Sequence, residues 1–310
     1  MTSWQFREVP FKFQLSDWTL FSITRPLQVR SEPVLNGAAP VENPMPASDM
    51  LEARSEGFSV HALPVAAALP RVSSVDGYLR YVALQYRHCY INLGLSFDEY
   101  QKKFSSKTRS TILRKIKKFA EHCGGSLTWK TYRSQPDMQE FFQYARVISR
   151  KTYQEKLLDA GIPDSEEFVR EMETLAAADR VRAYVLFDGD RPVSYLYCPV
   201  QDDVLVYAHL GYDPDYMKMS VGTVLQWLAI EQLFAEARFR FFDFTEGESE
   251  HKRLFATHDV LCANIFFLRK NLPNIVLIHA HLFMGRFSSR LGDVLENFGV
   301  KAKIKRLLRF

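Results

Sequence analysis

The segment 204–252 carries the residue types best suited to binding an anion. A strand-like run leads through a loop into a helix whose first turn reads Ser-Val-Gly-Thr at 220–223. Ser220 suits a helix N-cap, Gly222 has no side chain to obstruct a ligand, and the free N–H groups there carry the positive end of the helix dipole. Lys218 adds a charge just outside this turn. The pattern predicts a phosphate site, with an ordinary capped helix as the alternative.

The composition limits the class of protein that must position this turn. The chain has 310 residues, 47% of them apolar and 14% aromatic, which is enough for a large core and excludes wholesale disorder. Four cysteines are scattered without a Cys-x-x-Cys pair, which excludes a disulfide scaffold and a zinc ribbon. Residues 1–10 lack a secretory signal pattern, and no run of 18 apolar residues occurs. We therefore expect a cytoplasmic protein with reduced thiols.

The net charge of +4 is unevenly distributed along the chain. Residues 102–118 hold eight basic side chains and no acid, and residues 286–310 have a net charge of +5, which leaves −9 on the remainder. Each basic segment is either an ordinary solvated surface or a surface for phosphate or anionic lipid. We therefore expect peripheral membrane association through these two segments as one possible partner interaction.

The N-terminal part is predicted to be β-rich. Strands are indicated at 11–15, 18–24 and 80–93, and the four prolines within 31–57 indicate a loop. One helix is expected from Ser96, which forms a capping box with Glu99, to about residue 122.

A more regular alternation follows Gly125. Asp188-Gly189-Asp190-Arg191 indicates a hairpin. Strands are predicted at 126–132, 182–188, 192–200, 203–210, 239–245 and 261–269, and helices at 137–160, 166–178, 220–237, 249–256 and from 273 onward, with breaks near Gly285 and Gly299. This order predicts an α+β fold with a mixed sheet.

Three stretches together resemble the GCN5-related N-acetyltransferase (GNAT) superfamily, in its BioF2-like, CelD- and FemAB-related branch. They are SRKTYQEK at 149–156, YDP at 212–214 with SVGT at 220–223, and FDFTEG at 242–247 with His-Lys at 251–252. The chain departs from the family's phosphate loop, because Lys218 takes the basic place, Gly222 is its one glycine, and Val221 stands where the branch commonly has proline.

The resemblance implies a GNAT-like mixed sheet flanked by helices, with four parts. These are a β-rich domain at 1–95, which would be a truncated second copy, a basic linking helix at 96–123, a catalytic domain at 124–270 and a basic helical tail at 271–310. Strands 203–211 and 239–245 would splay apart to admit acyl-CoA, and no metal is expected. The implied cofactor-binding residues are Leu210, Gly211, Lys218, Ser220, Val221, Gly222 and Thr223.

Acyl transfer from a thioester to an amine needs a general base and a group that stabilises the oxyanion. Glu246 is the preferred base, with a helix cap as its alternative role, and Asp243 and His251 are further candidates. Lys252 would stabilise the oxyanion or hold an anionic acceptor, unless it is a plain surface lysine. The acceptor side would be formed by Lys151, Tyr153 and Tyr212.

Three functions remain open on this fold. The first is transfer from acyl-CoA to an amine of an amino sugar, cell-envelope precursor or lipid precursor. The second is a FemAB-like reaction with aminoacyl-tRNA as donor, against which we count the scarcity of aromatic residues among the basic ones at 102–118. The third is a non-catalytic protein that binds a membrane or nucleic acid.

Overall fold

The computed structural model describes residues 3–15, 18–35, 39–45, 51–152 and 161–297. In chain order its elements are β1 (Gln5–Leu15), β2 (Trp18–Ser31), β3 (Gly57–Pro64), β4 (Val72–Val75), β5 (Tyr78–Asn92), α1 (Phe97–Lys102), α2 (Ser106–His122), β6 (Thr128–Tyr132), α3 (Gln135–Ser149), α4 (Glu166–Ala177), β7 (Val181–Asp188), β8 (Arg191–Gln201), β9 (Val204–Val206), β10 (His209–Tyr212), a 3-10 helix (Pro214–Met219), α5 (Val221–Glu236), β11 (Phe241–Asp243), α6 (Glu250–Phe255), β12 (His258–Arg269) and α7 (Leu272–Asn297).

The described residues fall into two compact units. The first contains those of 1–88 and 260–310, and the second those of 89–259. This division differs from the four predicted parts, because α1 and α2 lie within the second unit and α7 lies within the first. The expectation that residues 1–95 are a truncated second copy of the fold stays a prediction.

In the first unit β1, β2 and β3 are neighbours, and β3 also pairs with β12. β2 and β3 are parallel, whereas β1 with β2 and β3 with β12 are antiparallel. Helix α7 packs on β1, and Leu277 and Ile278 of the helix join Phe11 and Phe13 in one buried cluster.

In the second unit the strand order is β11-β9-β8-β7-β6, with β10 on β8 and the end of β5 on β11. β9 and β11 are parallel and the other pairs are antiparallel, so the predicted mixed sheet is confirmed. Strand β7 is buried on both faces: Tyr184 and Leu186 lie in one core cluster, and Ala183 and Val185 lie in another. This follows from its apolar run at 183–187, since alternate side chains point to opposite faces.

Three element predictions were wrong in detail. The expected single helix at 96–122 is two helices, because Ser105 caps a second helix by accepting a hydrogen bond from Thr108 N at 3.1 Å. The strand expected at 203–210 is divided into β9 and β10. Helix α7 continues through Gly285, where a break was expected, and Gly299 lies outside the described residues.

Among the described helices none is long and apolar enough to cross a lipid bilayer.

Candidate functional site

Strands β9 and β11 part at Tyr207. They run parallel with residues 204–206 beside 241–243, and the Tyr207 N–H makes a further hydrogen bond to the Asp243 carbonyl at 2.8 Å. The next amide, that of Ala208, instead donates to Tyr197 O on β8 at 3.2 Å, and β10 then continues along β8. An opening between β10 and the chain after β11 results, as the resemblance implies.

The edge of β10 that faces this opening consists of main-chain groups. The Asp213 N–H, at the end of β10, donates to Val193 O on β8 at 2.8 Å. Because backbone groups alternate in direction along a strand, those of Leu210 and Tyr212 are directed away from β8. Gly211 has a steric role of its own, since a Cβ there would lie 2.3 Å from the Tyr195 ring.

Helix α5 begins directly against β10. A Cβ on Gly222 would lie 3.3 Å from Leu210 Cδ2 and 3.4 Å from Tyr212 Cδ1, so the absence of a side chain permits this close approach. The Thr223 N–H donates to Ser220 O at 2.9 Å. The N–H groups of Val221 and Gly222 precede the first intrahelical bond and lie at the positive end of the helix.

Ser220 does not cap α5 in the expected way. It occupies the N-cap position in the left-handed conformation, with φ 54°, and its side chain makes no capping hydrogen bond. The expected serine cap is therefore wrong. Lys218 is exposed in the last turn of the preceding 3-10 helix, where its ammonium group is accessible to solvent.

A buried carboxylate supports the loop between β10 and α5. The Asp213 side chain is 1% exposed and accepts hydrogen bonds from Lys151 Nζ at 2.8 Å and Arg191 Nη2 at 2.6 Å. Burial alone would raise the pKa of Asp213, but the hydrogen bonds from these two cations outweigh it and lower the pKa. The supporting role of Asp213 in this loop was not predicted from the sequence, although an Asp-Pro pair is a signal for the start of a turn.

We expect Asp213→Asn to destabilise the second unit by about 2 to 3 kcal/mol. This is below the full loss of a buried ion pair, because Lys151 and Arg191 are half-exposed and can hydrate. Since the folded-state pKa of Asp213 is lowered, its stabilisation is complete above the unfolded-state pKa and disappears as the pH falls through the folded-state value. Urea unfolding at neutral and acidic pH measures both effects.

The matched control is Asp215→Asn, because the Asp215 carboxylate also binds Arg191 but is 74% exposed. We expect that change to stay within about 0.5 kcal/mol. Equal shifts for the two variants would contradict a special contribution from the buried carboxylate.

A second contact fixes the 3-10 helix to Asp188 at the end of β7. Tyr216 donates its hydroxyl hydrogen to Asp188 Oδ2 at 2.6 Å, and His122 Nε2 lies 3.0 Å from the same oxygen. The hydrogen bond from Tyr216 and then that from His122 lower the pKa of Asp188 against the effect of burial. The turn before α5 is therefore attached to β8 through Arg191 and to β7 through Asp188, which also contacts His122 of α2.

The loop after β11 is held by Lys252. Its Nζ donates to the carbonyl oxygens of Glu246 at 2.6 Å, Gly247 at 3.3 Å and Thr245 at 3.4 Å. Thr245 has φ 63°, an unusual conformation for a β-branched residue, and its N–H donates to Asp243 Oδ1 at 2.7 Å. Burial lowers the pKa of Lys252. Lys252 therefore stabilises the conformation of the loop at 245–247. Its role in stabilising an oxyanion stays a prediction.

Glu246 is exposed at the tip of this loop. The cap of α6 is supplied by Ser249, whose side chain accepts from Lys252 N at 3.1 Å, and not by Glu246. The Glu246 carboxylate therefore lies near the carboxyl end of β11. It does not cap α6, which was its alternative predicted role. Its task as a base stays a prediction.

His251 is directed toward α5. Its Nε2 lies 2.6 Å from Oε1 of Gln226, a fully buried amide that the sequence analysis did not select. Burial, and then the nearby charge of Lys115, lower the pKa of His251 and favour the neutral imidazole. The contact with an amide oxygen is consistent with a proton on Nε2.

The predicted acceptor residues are only partly brought together. Lys151 reaches the loop at Asp213, and Tyr212 lies on β10 beside Gly222 with 37% of its surface exposed. Tyr153 lies outside the described residues. Within the described ranges no three or more His, Cys, Asp or Glu side chains are arranged to hold a metal ion.

Comparison with known proteins agrees with this geometry. Residues 106–253 match the model of the Acetyltransferase (GNAT) domain. The crystal structure of FemX is similar over 89% of this chain and 90% of that one, with 10% identity and a TM-score of 0.50, which shows a shared fold.

Two further solved structures are similar over comparable lengths. The C-terminal domain of a putative lysylphosphatidylglycerol synthetase from Agrobacterium fabrum has 9% identity and a TM-score of 0.48, covering 73% of this chain and 71% of that one. L-PGS from Bacillus licheniformis has 14% identity and a TM-score of 0.43, covering 73% and 72%. No curated protein matches the sequence significantly.

The matched residues include the parted strands, the start of α5, and the loop held by Lys252. Residues 106–253 therefore match a GNAT acetyltransferase domain, and this match supports a transferase.

Proposed function

We propose that the protein transfers an acyl group from acyl-CoA to an amine. The observation that carries this proposal is the opening that begins at Tyr207, bordered by the main-chain edge of β10 and leading to the N-terminus of α5. A pantetheine chain is long, narrow and amide-bearing, which suits hydrogen bonding to Leu210 and Tyr212. A pyrophosphate suits the N–H groups of Val221 and Gly222, with Lys218 adding a positive charge.

The reaction balances with one base and one leaving group. Glu246 takes one proton from the acceptor ammonium, and the amine nitrogen attacks the thioester carbonyl. The carbon–sulfur bond then breaks, and the second proton on the nitrogen passes to the departing thiolate, so the products are the amide and CoA thiol. Glu246 afterwards releases its proton to solvent. Lys252 maintains the loop that carries Glu246, while Asp243, through its bond to the Thr245 N–H, sets the direction of that loop. His251 is the alternative base, supported by its contact with Gln226.

The acceptor class is an amine of an amino sugar, a cell-envelope precursor or a lipid precursor in the cytoplasm. An anionic group on the acceptor would suit Lys151, which is partly exposed at the loop before α5. Tyr212 and Tyr153 complete the proposed acceptor side.

Calorimetric titration of the purified full chain with CoA tests the donor. We expect a one-to-one complex, and mass spectrometry after gentle purification is expected to detect CoA that stays bound. A correctly folded protein that binds neither CoA nor acetyl-CoA would overturn the proposal.

A second donor, aminoacyl-tRNA, is favoured by one observation on α2. Lys107, Arg109, Arg114 and Lys118 are exposed on this helix, and none of them forms an ion pair with a carboxylate in the described part of the chain. Lys107, Arg114 and Lys118 are seven and four residues apart, which places them along one side of the helix. Such a row of cations is suited to a phosphate backbone.

Replacement of Lys107, Arg114 and Lys118 by glutamine distinguishes the two donors. If tRNA is the donor, we expect the salt dependence of tRNA binding, as log K against log salt, to flatten by about 0.7 to 0.9 for each lost phosphate contact. If acyl-CoA is the donor, turnover with acyl-CoA stays unchanged in this triple variant. Filter binding across a salt series and a thiol-release assay provide the two measurements.

A further inference from the structure

Helix α7 of the first unit exposes an apolar face on the side away from its core. Leu277 and Ile278 are buried against β1, whereas large apolar side chains on the other face are open to solvent. They recur at spacings of four, seven and four residues, which places them along one side of a helix. These residues are Leu272, Val276, Phe283 and Phe287.

The hairpin of β1 and β2 exposes a second apolar group. Trp18 is 72% exposed, and Leu20 and Phe21 are about half exposed, at 54% and 51%. They lie at the start of β2, beside the turn that joins the two strands. Large apolar side chains that are this exposed and lie close together are unusual on a surface that contacts only solvent.

The two groups belong to the same end of the first unit. Asn274 of α7 contacts Arg25, the partner of Val9 in the β1–β2 ladder, at 3.4 Å. About two turns further along α7, the His281 ring packs edge-on against the Phe13 ring, with a centroid distance of 5.4 Å. Helix α7 therefore advances along β1 toward the hairpin turn.

Phe13 connects the two groups directly. Its ring stacks on Phe21 at 4.5 Å and also meets His281. Phe283 and Phe287 follow His281 on the helix, with their rings stacked at 6.4 Å. We name this end, formed by Trp18, Leu20, Phe21, Phe283 and Phe287, the aromatic end.

The charges around the aromatic end are positive. Arg286 and Arg290 lie on α7 beside the two phenylalanines. Residues 270–297 hold three basic and two acidic residues, the acids being Asp293 and Glu296, for a net charge of +1. Within residues 12–25 of the hairpin, the sequence holds two basic residues, Lys12 and Arg25, and one acid, Asp17. Two copies of the chain meeting here would bring like charges together, which disfavours self-association.

We propose that the aromatic end docks on an anionic lipid surface. Trp and Phe enter the boundary between headgroups and acyl chains, while arginine side chains extend to the phosphates. The proposed acyl transfer does not depend on this docking, because the aromatic end belongs to the first unit and the catalytic residues to the second.

Co-sedimentation of the full chain with lipid vesicles tests the proposal. We expect binding to vesicles of phosphatidylglycerol and phosphatidylcholine in equal parts, and weak binding to phosphatidylcholine alone. The double variant Phe283→Ser with Phe287→Ser is expected to weaken binding by about tenfold or more, since each buried phenylalanine contributes substantially to partitioning. The matched control is Val147→Ser on α3, which also removes a half-exposed apolar side chain and is expected to bind as wild type.

Trp18 supplies a direct optical measurement. Quenching of tryptophan emission by brominated lipid is expected in the wild type and is expected to decrease in Trp18→Phe, which still binds. Thermal melts followed by circular dichroism establish that the variants remain folded. Equal binding to neutral and anionic vesicles, full binding by the double-serine variant, or a dimer in sedimentation velocity that this variant abolishes would each overturn the proposal.

Discussion

Gly222→Glu is expected to raise the dissociation constant for CoA by at least about 100-fold, which corresponds to about 2.7 kcal/mol. The substitution places a carboxylate at the positive end of α5, where the proposed pyrophosphate requires free N–H groups. Repulsion between the two anions and occupation of the same space act in the same direction. Calorimetric titration with CoA measures the effect.

Two controls separate this effect from misfolding. Ala235→Glu adds the same charge to an exposed position near the other end of α5 and is expected to leave CoA affinity unchanged. Gly222→Ala introduces only a Cβ, which meets the flexible end of Leu210 at 3.3 Å, so we expect a small change in stability. Unchanged CoA affinity in a folded Gly222→Glu variant would place the phosphate site elsewhere.

Glu246→Gln is expected to lower kcat by about 100-fold or more while the dissociation constant for CoA stays the same. The amide keeps the size of the side chain but cannot take a proton from the attacking amine. The loop itself should persist, because Lys252 binds its main-chain carbonyl groups, which the substitution leaves in place. Steady-state turnover with a confirmed acceptor, together with CoA titration, provides the measurement.

The control is Glu250→Gln, four residues further along the chain and exposed in the first turn of α6. It removes one carboxylate from the same neighbourhood and is expected to change kcat by less than about threefold. Full turnover in Glu246→Gln would transfer the role of the base to another group, with His251→Gln as the next variant to assay.

Local signals in the sequence were sufficient for most of the secondary structure. The Ser96–Glu99 capping box forms as predicted, and Gly189 lies in the hairpin turn between β7 and β8. The division between α1 and α2 was missed because residues 96–122 were assigned to a single helix, within which Ser105 is one polar residue. Its ability to cap a new helix depends on the chain turning there.

The site was less predictable, because its supports join residues far apart in the sequence. Lys151 and Asp213 are 62 positions apart, and no local pattern marks either as the partner of the other. Gln226 is a polar residue within an otherwise apolar stretch of α5. Only the folded structure shows that His251 contacts it. Ser220 has the residue type of a cap, but the preceding 3-10 helix delivers it in the left-handed conformation.

The parting of β10 from β11 has a consequence for how this protein can evolve. A ligand that binds the free edge of β10 is recognised by peptide groups that every residue except proline supplies. Substitutions at Leu210 or Tyr212 therefore leave those donors and acceptors in place, provided that the strand keeps its course along β8. Binding of this kind therefore tolerates extensive sequence drift. If the proposed acyl transfer is correct, selectivity for the acyl group and the acceptor must then be encoded in the side chains around the opening.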